Sequence, residues 1–389
     1  MRVLVYNHAS ELSGGERSLL SVFDGLPTGR YDVLLAAPEG PLLAAARERR
    51  IPVMPTRSLE IGYTRNPIVL AHYVARILQC AWALRRAIRS AGPDVVHANS
   101  VRSTLVATLA VHTLRHRPVL VAQVHDLLHK SVANRLVRRI IRSADIIIAV
   151  SACVARCVGG SRTRVLLNAI DPDRFRRDAS KGSSLRSQLG VPMSAPVLAT
   201  IGQLTPWKGH MDALEAFAKL RVRCADAHLL IAGSTKFTGK HRRYDTLAYA
   251  QQLKNRASLP DLAGHVHFVG EVEDTVAVYS AADLLVVPSW EEPFGLVVIE
   301  AMAAGCAVVG TNSGGIPEII THGVDGWLVK ARDPIALATV MQLMVEDPML
   351  RSRLSTAGMR TIATRFSLTQ YVEALERIWS DSLHYARMA

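Results

Sequence analysis

Short runs of consecutive apolar residues alternate with amphipathic stretches along the chain. In the first half, Val3–Tyr6, Val33–Ala36, Val95–His97, Val119–Val124, Ile146–Val150 and Val165–Leu167 read as strands. They are apolar at successive positions, as parallel strands covered by helices on both faces must be. Between them, Arg17–Phe23, Pro41–Arg49, Val69–Ser90 and Ser131–Arg142 carry apolar residues at helical spacing. The pattern lapses over Arg176–Pro196, a polar stretch with Gly and Ser that holds one short helix, Ser184–Leu189, and reads as a linker. It then restarts with strands at Val197–Ile201, Leu229–Ala232, Val266–Val269, Leu284–Val287, Ala307–Gly310 and Trp327–Val329. A last helix lies near Leu368 to Tyr385.

This alternation predicts an α/β chain of two tandem Rossmann-like, doubly wound parallel-sheet domains, because parallel neighbours need long crossovers. At 389 residues the chain has room for both. The expected extents are residues 1–178, 190–366, and a final helix over 367–389 that can pack on either domain. In such sheets ligands bind outside the carboxyl ends of the strands. Most of the distinctive polar residues of this chain follow its strands.

Composition adds a charge asymmetry. Residues 1–190 carry 28 Lys and Arg against 13 Asp and Glu, whereas residues 191–389 carry 18 against 20. The excess of +13 therefore belongs to the first half, which points to an anionic partner there or to an arginine-rich solvated surface. A nucleic acid, an anionic membrane and a phosphorylated acceptor are the candidate partners. No recognisable nucleic-acid module is present, so nucleic acid is not expected. The five scattered cysteines, Cys80, Cys153, Cys157, Cys224 and Cys306, suit core thiols in a cytoplasmic protein. The longest apolar runs, such as Ala144–Val150, fall short of the roughly 18 residues of a spanning helix. The N-terminus reads as a strand and not as a signal peptide.

The most informative segment is Glu292-Pro293-Phe294-Gly295-Leu296-Val297-Val298-Ile299-Glu300-Ala301-Met302-Ala303-Ala304-Gly305, after the strand at 284–287. Pro293 suits a first helical turn and Gly305 a helix end. The helix start offers unpaired N–H groups and a positive dipole to a pyrophosphate. On one helix Glu292 and Glu300 would stand about 12 Å apart, too far for the roughly 5–5.5 Å carboxylate pair of a retaining glycosidase. Separate tasks follow: Glu292 near a sugar, Glu300 accepting from donor hydroxyls. As bland alternatives, the two are a helix-start acid and a surface charge.

This E-P-F-G-L-x-x-x-E-A-M-A-x-G segment resembles the signature of family-4 glycosyltransferases, retaining enzymes of the GT-B fold with an interdomain cleft. The resemblance implies transfer of a hexose-type sugar from a nucleotide-diphosphate donor without cofactor or bound metal. Gly202-Gln203-Leu204-Thr205-Pro206-Trp207-Lys208-Gly209 resembles the family's G-R-L-x-x-x-K-G element, whose Arg and Lys neutralise the donor diphosphate. Lys208 matches, but Gln203 carries no charge and cannot make a bidentate guanidinium contact. Ser13-Gly14-Gly15-Glu16 resembles the glycine loop that closes over donor phosphates and acceptor, and it lacks the nicotinamide fingerprint. The resemblance places His125 against the transferred sugar. His97, Asn99 and Glu16 are candidates for the acceptor side.

Catalysis is thus expected from Glu292, Lys208 and His125. Donor binding is expected from Gly14, Gly15, Gln203, Phe294, Gly295, Leu296 and Glu300 as well as Lys208 and Glu292. Asp171-Pro172-Asp173 has D-x-D spacing, but it lies in a linker turn and is not expected to hold a metal. The acceptor is open, with an anionic or lipid-linked molecule favoured by charge. The helix over 69–89 mixes apolar residues with Arg76, Arg85, Arg86 and Arg89, which suits either a core helix with a solvated face or a peripheral contact at the inner membrane face. The rival reading is an inactive carbohydrate- or nucleotide-binding protein of the same fold, for which Gln203 is the reason.

Overall fold

The computed structural model describes residues 1–389 except 63, 65, 130, 236–243 and 389, and omits the side chains of 132, 133 and 384–388. The chain divides into two compact units, Met1–Ala169 with Leu368–Ala389, and Ile170–Ser367.

Unit 1 is built on seven parallel strands: β1 (Arg2–Tyr6), β2 (Asp32–Pro38), β3 (Val53–Thr56), β4 (Val95–Ala98), β5 (Val119–Val124), β6 (Ile146–Ala149) and β7 (Thr163–Val165). Their order is β3-β2-β1-β4-β5-β6-β7, with Val3 opposite both Val33 and Val95. The crossovers are α1 (Gly14–Gly25), α2 (Pro41–Glu48), α3 (Pro67–Ala91), α4 (Val101–His112), α5 (Val132–Ile141) and α6 (Ala152–Val158). β3 was not among the expected strands. It contains Pro55 and sits at the sheet edge, where a missing N–H breaks no ladder.

Unit 2 has six parallel strands: β8 (Val197–Ile201), β9 (His228–Ala232), β10 (Val266–Gly270), β11 (Leu284–Val287), β12 (Ala307–Thr311) and β13 (Trp327–Val329), in the order β10-β9-β8-β11-β12-β13. Its helices are α7 (Ala179–Gln188), α8 (His210–Arg221), α9 (Thr246–Ala257), α10 (Thr275–Ala281), α11 (Leu296–Ala303), α12 (Ile316–Ile319), α13 (Pro334–Glu346) and α14 (Pro348–Arg365). The core joins Leu214, Phe217 and Leu220 of α8 to Leu229, Ile231 and Val286 of the sheet and Met341 of α13.

The stretch read as a linker is instead part of unit 2. Its helix α7 packs on α10, where Arg186 is buried and donates to the carbonyls of Ala281 and Ala195 and to Asp283. A polar sequence can dock in this way because one guanidinium satisfies several buried acceptors at once. The boundary accordingly moves from 178 to 169.

After α14 the chain returns to unit 1 as α15 (Leu368–Met388). Tyr371, Val372, Leu375 and Trp379 bury one face of this helix in the unit 1 core, beside Val5, Leu19, Phe23 and Val121.

Candidate functional site

In unit 2, β8 and β11 are neighbours from which the chain winds off in opposite directions, so the loops after them diverge and leave a crevice. Gln203 to Gly209 follow β8 and Pro288 to Gly295 follow β11. Two glycines let these backbones touch. A Cβ on Gly209, whose φ is +73°, would stand 2.0 Å from the Pro288 carbonyl oxygen. One on Gly314, φ +63°, would stand 1.9 Å from that of Glu292. Trp290 N–H donates to the Trp207 carbonyl at 2.7 Å, and Gly315 N–H to the Glu292 carbonyl at 2.8 Å.

This scaffold brings Lys208 and Glu292 together. Lys208 Nζ donates to Glu292 Oε2 at 2.7 Å, and Ser289 Oγ donates to the same oxygen at 3.1 Å. Both side chains are largely buried, and the ammonium also lies 4.5 Å from the centre of the Trp207 ring. The cation is therefore held in one place by a carboxylate and a π face, both of which an entering diphosphate can supplement.

The helix after this loop begins at Leu296 and not at Pro293. Gly295 has φ +111°, outside the helical region, and ends the loop as the N-cap of α11. Glu292 thus stands outside the helix, and the helical spacing of about 12 Å to Glu300 does not apply to it. The first turn offers the N–H groups of Leu296 and Val297, since that of Val298 already donates to the Gly295 carbonyl at 2.9 Å. Phe294 is buried and faces Phe366 at 6.1 Å between ring centres, so it anchors the loop in the core. Glu300 is partly exposed and accepts from the buried Tyr279 hydroxyl at 2.7 Å. Burial, with Glu300 adding to it, raises the Tyr279 pKa well above its ordinary value and keeps it a donor. Gln203 is partly exposed in the turn after β8. Gly305 has φ +66° and follows the end of α11 as expected.

Sequence reasoning missed a second group around the Glu292 loop. Trp290 Nε1 donates to Asp212 of α8 at 2.6 Å, and the Arg332 guanidinium lies 4.2 Å over the Trp290 ring. Burial raises the Asp212 pKa, opposed by the Trp290 bond and by Arg332. Arg332 follows β13 with φ +60°, a left-handed conformation costly for a side-chain-bearing residue. Nothing in the residue type announces that geometry.

In unit 1 the corresponding divergence lies between β1 and β4. Ser13 and Glu16 form a capping box at the start of α1. From there a chain of hydrogen bonds crosses the strand ends. Glu16 Oε1 accepts from Asn7 Nδ2 at 3.1 Å, Asn7 Oδ1 accepts from Asn99 Nδ2 at 3.3 Å, and Asn99 Oδ1 lies 3.2 Å from His125 Nε2. Since Asn99 accepts there, His125 carries its proton on Nε2 and keeps a lone pair on Nδ1. Burial lowers the His125 pKa, against opposing pulls from Asp126 and Glu16, so the ring is neutral. Gly15 lies beneath the ring, with 3.9 Å between an added Cβ and Nδ1. Gly14, the first residue of α1, Gly15, Glu16, Asn99 and His125 thus form one cluster.

His97 lines the same small cavity as Gly15, Asn99 and His125, but its hydrogen bonds turn away from them. Its Nδ1 accepts from Trp379 Nε1 at 3.2 Å and its Nε2 donates to Gln123 at 2.9 Å, while Gln123 donates to the Tyr371 hydroxyl at 3.0 Å. Burial pushes its pKa down to about 4. His97 belongs to the seat of α15, where a buried histidine needs both nitrogens satisfied.

The model of glycosyl transferases group 1 matches residues 183–361, and that of glycosyltransferase family 4 matches residues 12–174. The chain is 31% identical to the D-inositol 3-phosphate glycosyltransferase of Corynebacterium kroppenstedtii over 56% of its own length and 48% of that protein's. It is 27% identical to the N-acetyl-alpha-D-glucosaminyl L-malate synthase of Bacillus anthracis over 75% of each. The chain spans about half the length of the first of these curated relatives. Among solved structures, HepE of Anabaena in complex with UDP-glucose superposes with a TM-score of 0.83 at 23% identity, covering 98% of this chain and 100% of that one. The shared fold is GT-B.

Proposed function

Given that the chain belongs to the group 1, family-4 glycosyltransferases, we propose that it moves a hexose from a nucleotide-diphosphate sugar to an anionic acceptor, with retention at the anomeric carbon. The observation that carries this reading is the Lys208–Glu292 pair held beside the start of α11. A cation and a row of N–H groups beside a switch point suit a diphosphate leaving group.

Heterolysis of the bond between the anomeric carbon and the phosphate oxygen sends its electron pair to the diphosphate. Lys208 and the α11 N–H groups stabilise that charge, and Glu292 faces the sugar. The acceptor oxygen attacks from the face the diphosphate leaves, and its proton passes to the departing phosphate oxygen. In unit 1, the lone pair on His125 Nδ1 suits a hydrogen bond from a substrate hydroxyl. Neither Glu292, engaged by Lys208 and Ser289, nor Glu16, engaged by Asn7 and Ser13, stands as a nucleophile.

An anionic acceptor is supported by the names of two relatives, which include the anions inositol 3-phosphate and malate. A cytoplasmic setting is supported by five cysteines that form no disulfide. The test is turnover of UDP-, GDP-, ADP- and TDP-hexoses with phosphorylated polyols and dicarboxylic hydroxy acids, reading product configuration by NMR. One donor consumed to an α-linked product from an α-linked donor is expected. Absence of both transfer and donor hydrolysis across the panel would refute the reading.

A further inference from the structure

The surplus charge of unit 1 gathers on one helical layer. α3 packs on α4 and α4 on α5. Together these helices carry Arg76, Arg85, Arg86, Arg89, Arg102, Arg135, Arg138 and Arg139, and no Asp or Glu. Among the described residues none of these arginines has a carboxylate partner, whereas Arg2, Arg47 and Arg117 elsewhere in the unit do.

The same layer leaves apolar surface uncovered. The buried residues of α3 are Cys80, Ala81, Leu84, Ile88 and Ala91, all in its second half. Its first half stands clear of the core. Ile68, Ala71, Ala75, Leu78 and Trp82 follow the three-and-four spacing of one helical stripe, flanked by Leu70 and Val74, and all are exposed. Trp82 is 59% exposed and carries the Arg86 guanidinium 4.9 Å from its ring centre. On α5, Leu136 is exposed between Arg135 and Arg138.

An 18-residue window of α3 has a mean hydropathy of 1.3 with only 17% of it buried. The helix is therefore more apolar than its longest unbroken run suggests. It does not cross a bilayer, because its second half is fixed on unit 1 and the strands on either side of it, β3 and β4, belong to one sheet. An apolar stripe that runs into arginines without carboxylate partners instead suits the plane of a lipid surface.

We propose that the α3–α5 layer docks on an anionic bilayer, with the first half of α3 lying in the headgroup boundary. The stripe from Ile68 to Leu78 enters the acyl margin, Trp82 sits at the interface, and the guanidiniums meet lipid phosphates. A second copy of the chain is a poor occupant, since a two-fold contact would set this arginine cluster against itself. The proposal is independent of which sugar or acceptor the enzyme uses.

The test is co-sedimentation of the full chain with phosphatidylcholine vesicles, with and without about one third phosphatidylglycerol, at physiological salt. The wild type should bind the anionic vesicles at least about tenfold more tightly than the neutral ones. Leu78→Glu with Trp82→Glu, both on the exposed face, should abolish binding at every salt concentration. Arg86→Glu with Arg89→Glu should weaken it about tenfold at low salt and less as salt screens the charges. Equal binding to both vesicles, no binding, or variants that bind like the wild type would overturn the proposal. So would a wild-type dimer in sedimentation velocity that the Leu78 and Trp82 substitutions dissociate, because the occupant would then be a second copy.

Discussion

The strand-end loops of unit 2 are joined by backbone contacts and one buried ion pair, whereas those of unit 1 are joined by a relay of side-chain hydrogen bonds from the Glu16 carboxylate through two amides to the neutral His125 ring. The difference matches what each can hold. A fixed cation beside N–H groups suits a ligand whose charge is permanent and grows during reaction. An oriented neutral imidazole suits hydroxyl groups, whose hydrogen bonds have direction and little charge. Most of the positive balance of unit 1 lies on its α3–α5 layer, so net charge alone does not locate a site.

Four perturbations would break or sharpen this contrast. The largest effect is expected from Lys208→Ala, which should lower kcat on the matching donor by about 10²–10³-fold, as loss of one charge-stabilising donor does. Circular dichroism must confirm that the variant is folded, because Glu292 then loses its partner. Next, His125→Ala should reduce kcat/KM by roughly tenfold to a hundredfold, about the worth of a hydrogen bond or two to a charged or developing centre. Affinity for the free nucleoside diphosphate should stay as it was.

Arg332 offers a finer cut. Arg332→Ala and Arg332→Gly both remove the guanidinium from Trp290, and each should lower kcat/KM by about tenfold if the stack steadies the Glu292 loop. Only the glycine relieves the left-handed backbone, so it should be the more stable of the two by about 1 kcal/mol in urea unfolding. Equal stabilities would show that φ at this position is relaxed.

The smallest effect concerns pH. His97 has its pKa lowered from 6.5 to about 4 by burial. The unfolded chain therefore takes up this proton first as pH falls, so the neutral ring's contribution is complete above pH 6.5 and declines toward pH 4. His228 in unit 2 behaves likewise, with a pKa near 4 set first by burial and then by His265 and His267. Thermal melting from pH 7.5 to 4.5 should show falling stability. His97→Gln should flatten the slope, at about 1.4 kcal/mol per unit of pKa difference removed. An unchanged slope would place the His97 proton elsewhere.

Much of the fold was legible in the sequence because buried parallel strands leave runs that only helix-covered sheets explain, as Val119–Val124 and Leu284–Val287 show. β3 escaped because proline is tolerated at an edge, and α7 because a polar helix docked through one arginine looks like a linker. Spacing and resemblance singled out Lys208 and Glu292, and the structure brings the two together. The inward turn of His97 could not be read in the same way, since its partner Trp379 lies on a helix far along the chain. Arg332 was hidden for the same reason: its meeting with Trp290 is a tertiary fact.

The contrast between the two units rests on the diphosphate binding in unit 2, and calorimetric titration of UDP, GDP, ADP and TDP tests this directly. One diphosphate should bind the wild type and His125→Ala with equal affinity, and Lys208→Ala at least about tenfold more weakly. Undiminished binding by Lys208→Ala, or binding lost only in His125→Ala, would contradict it.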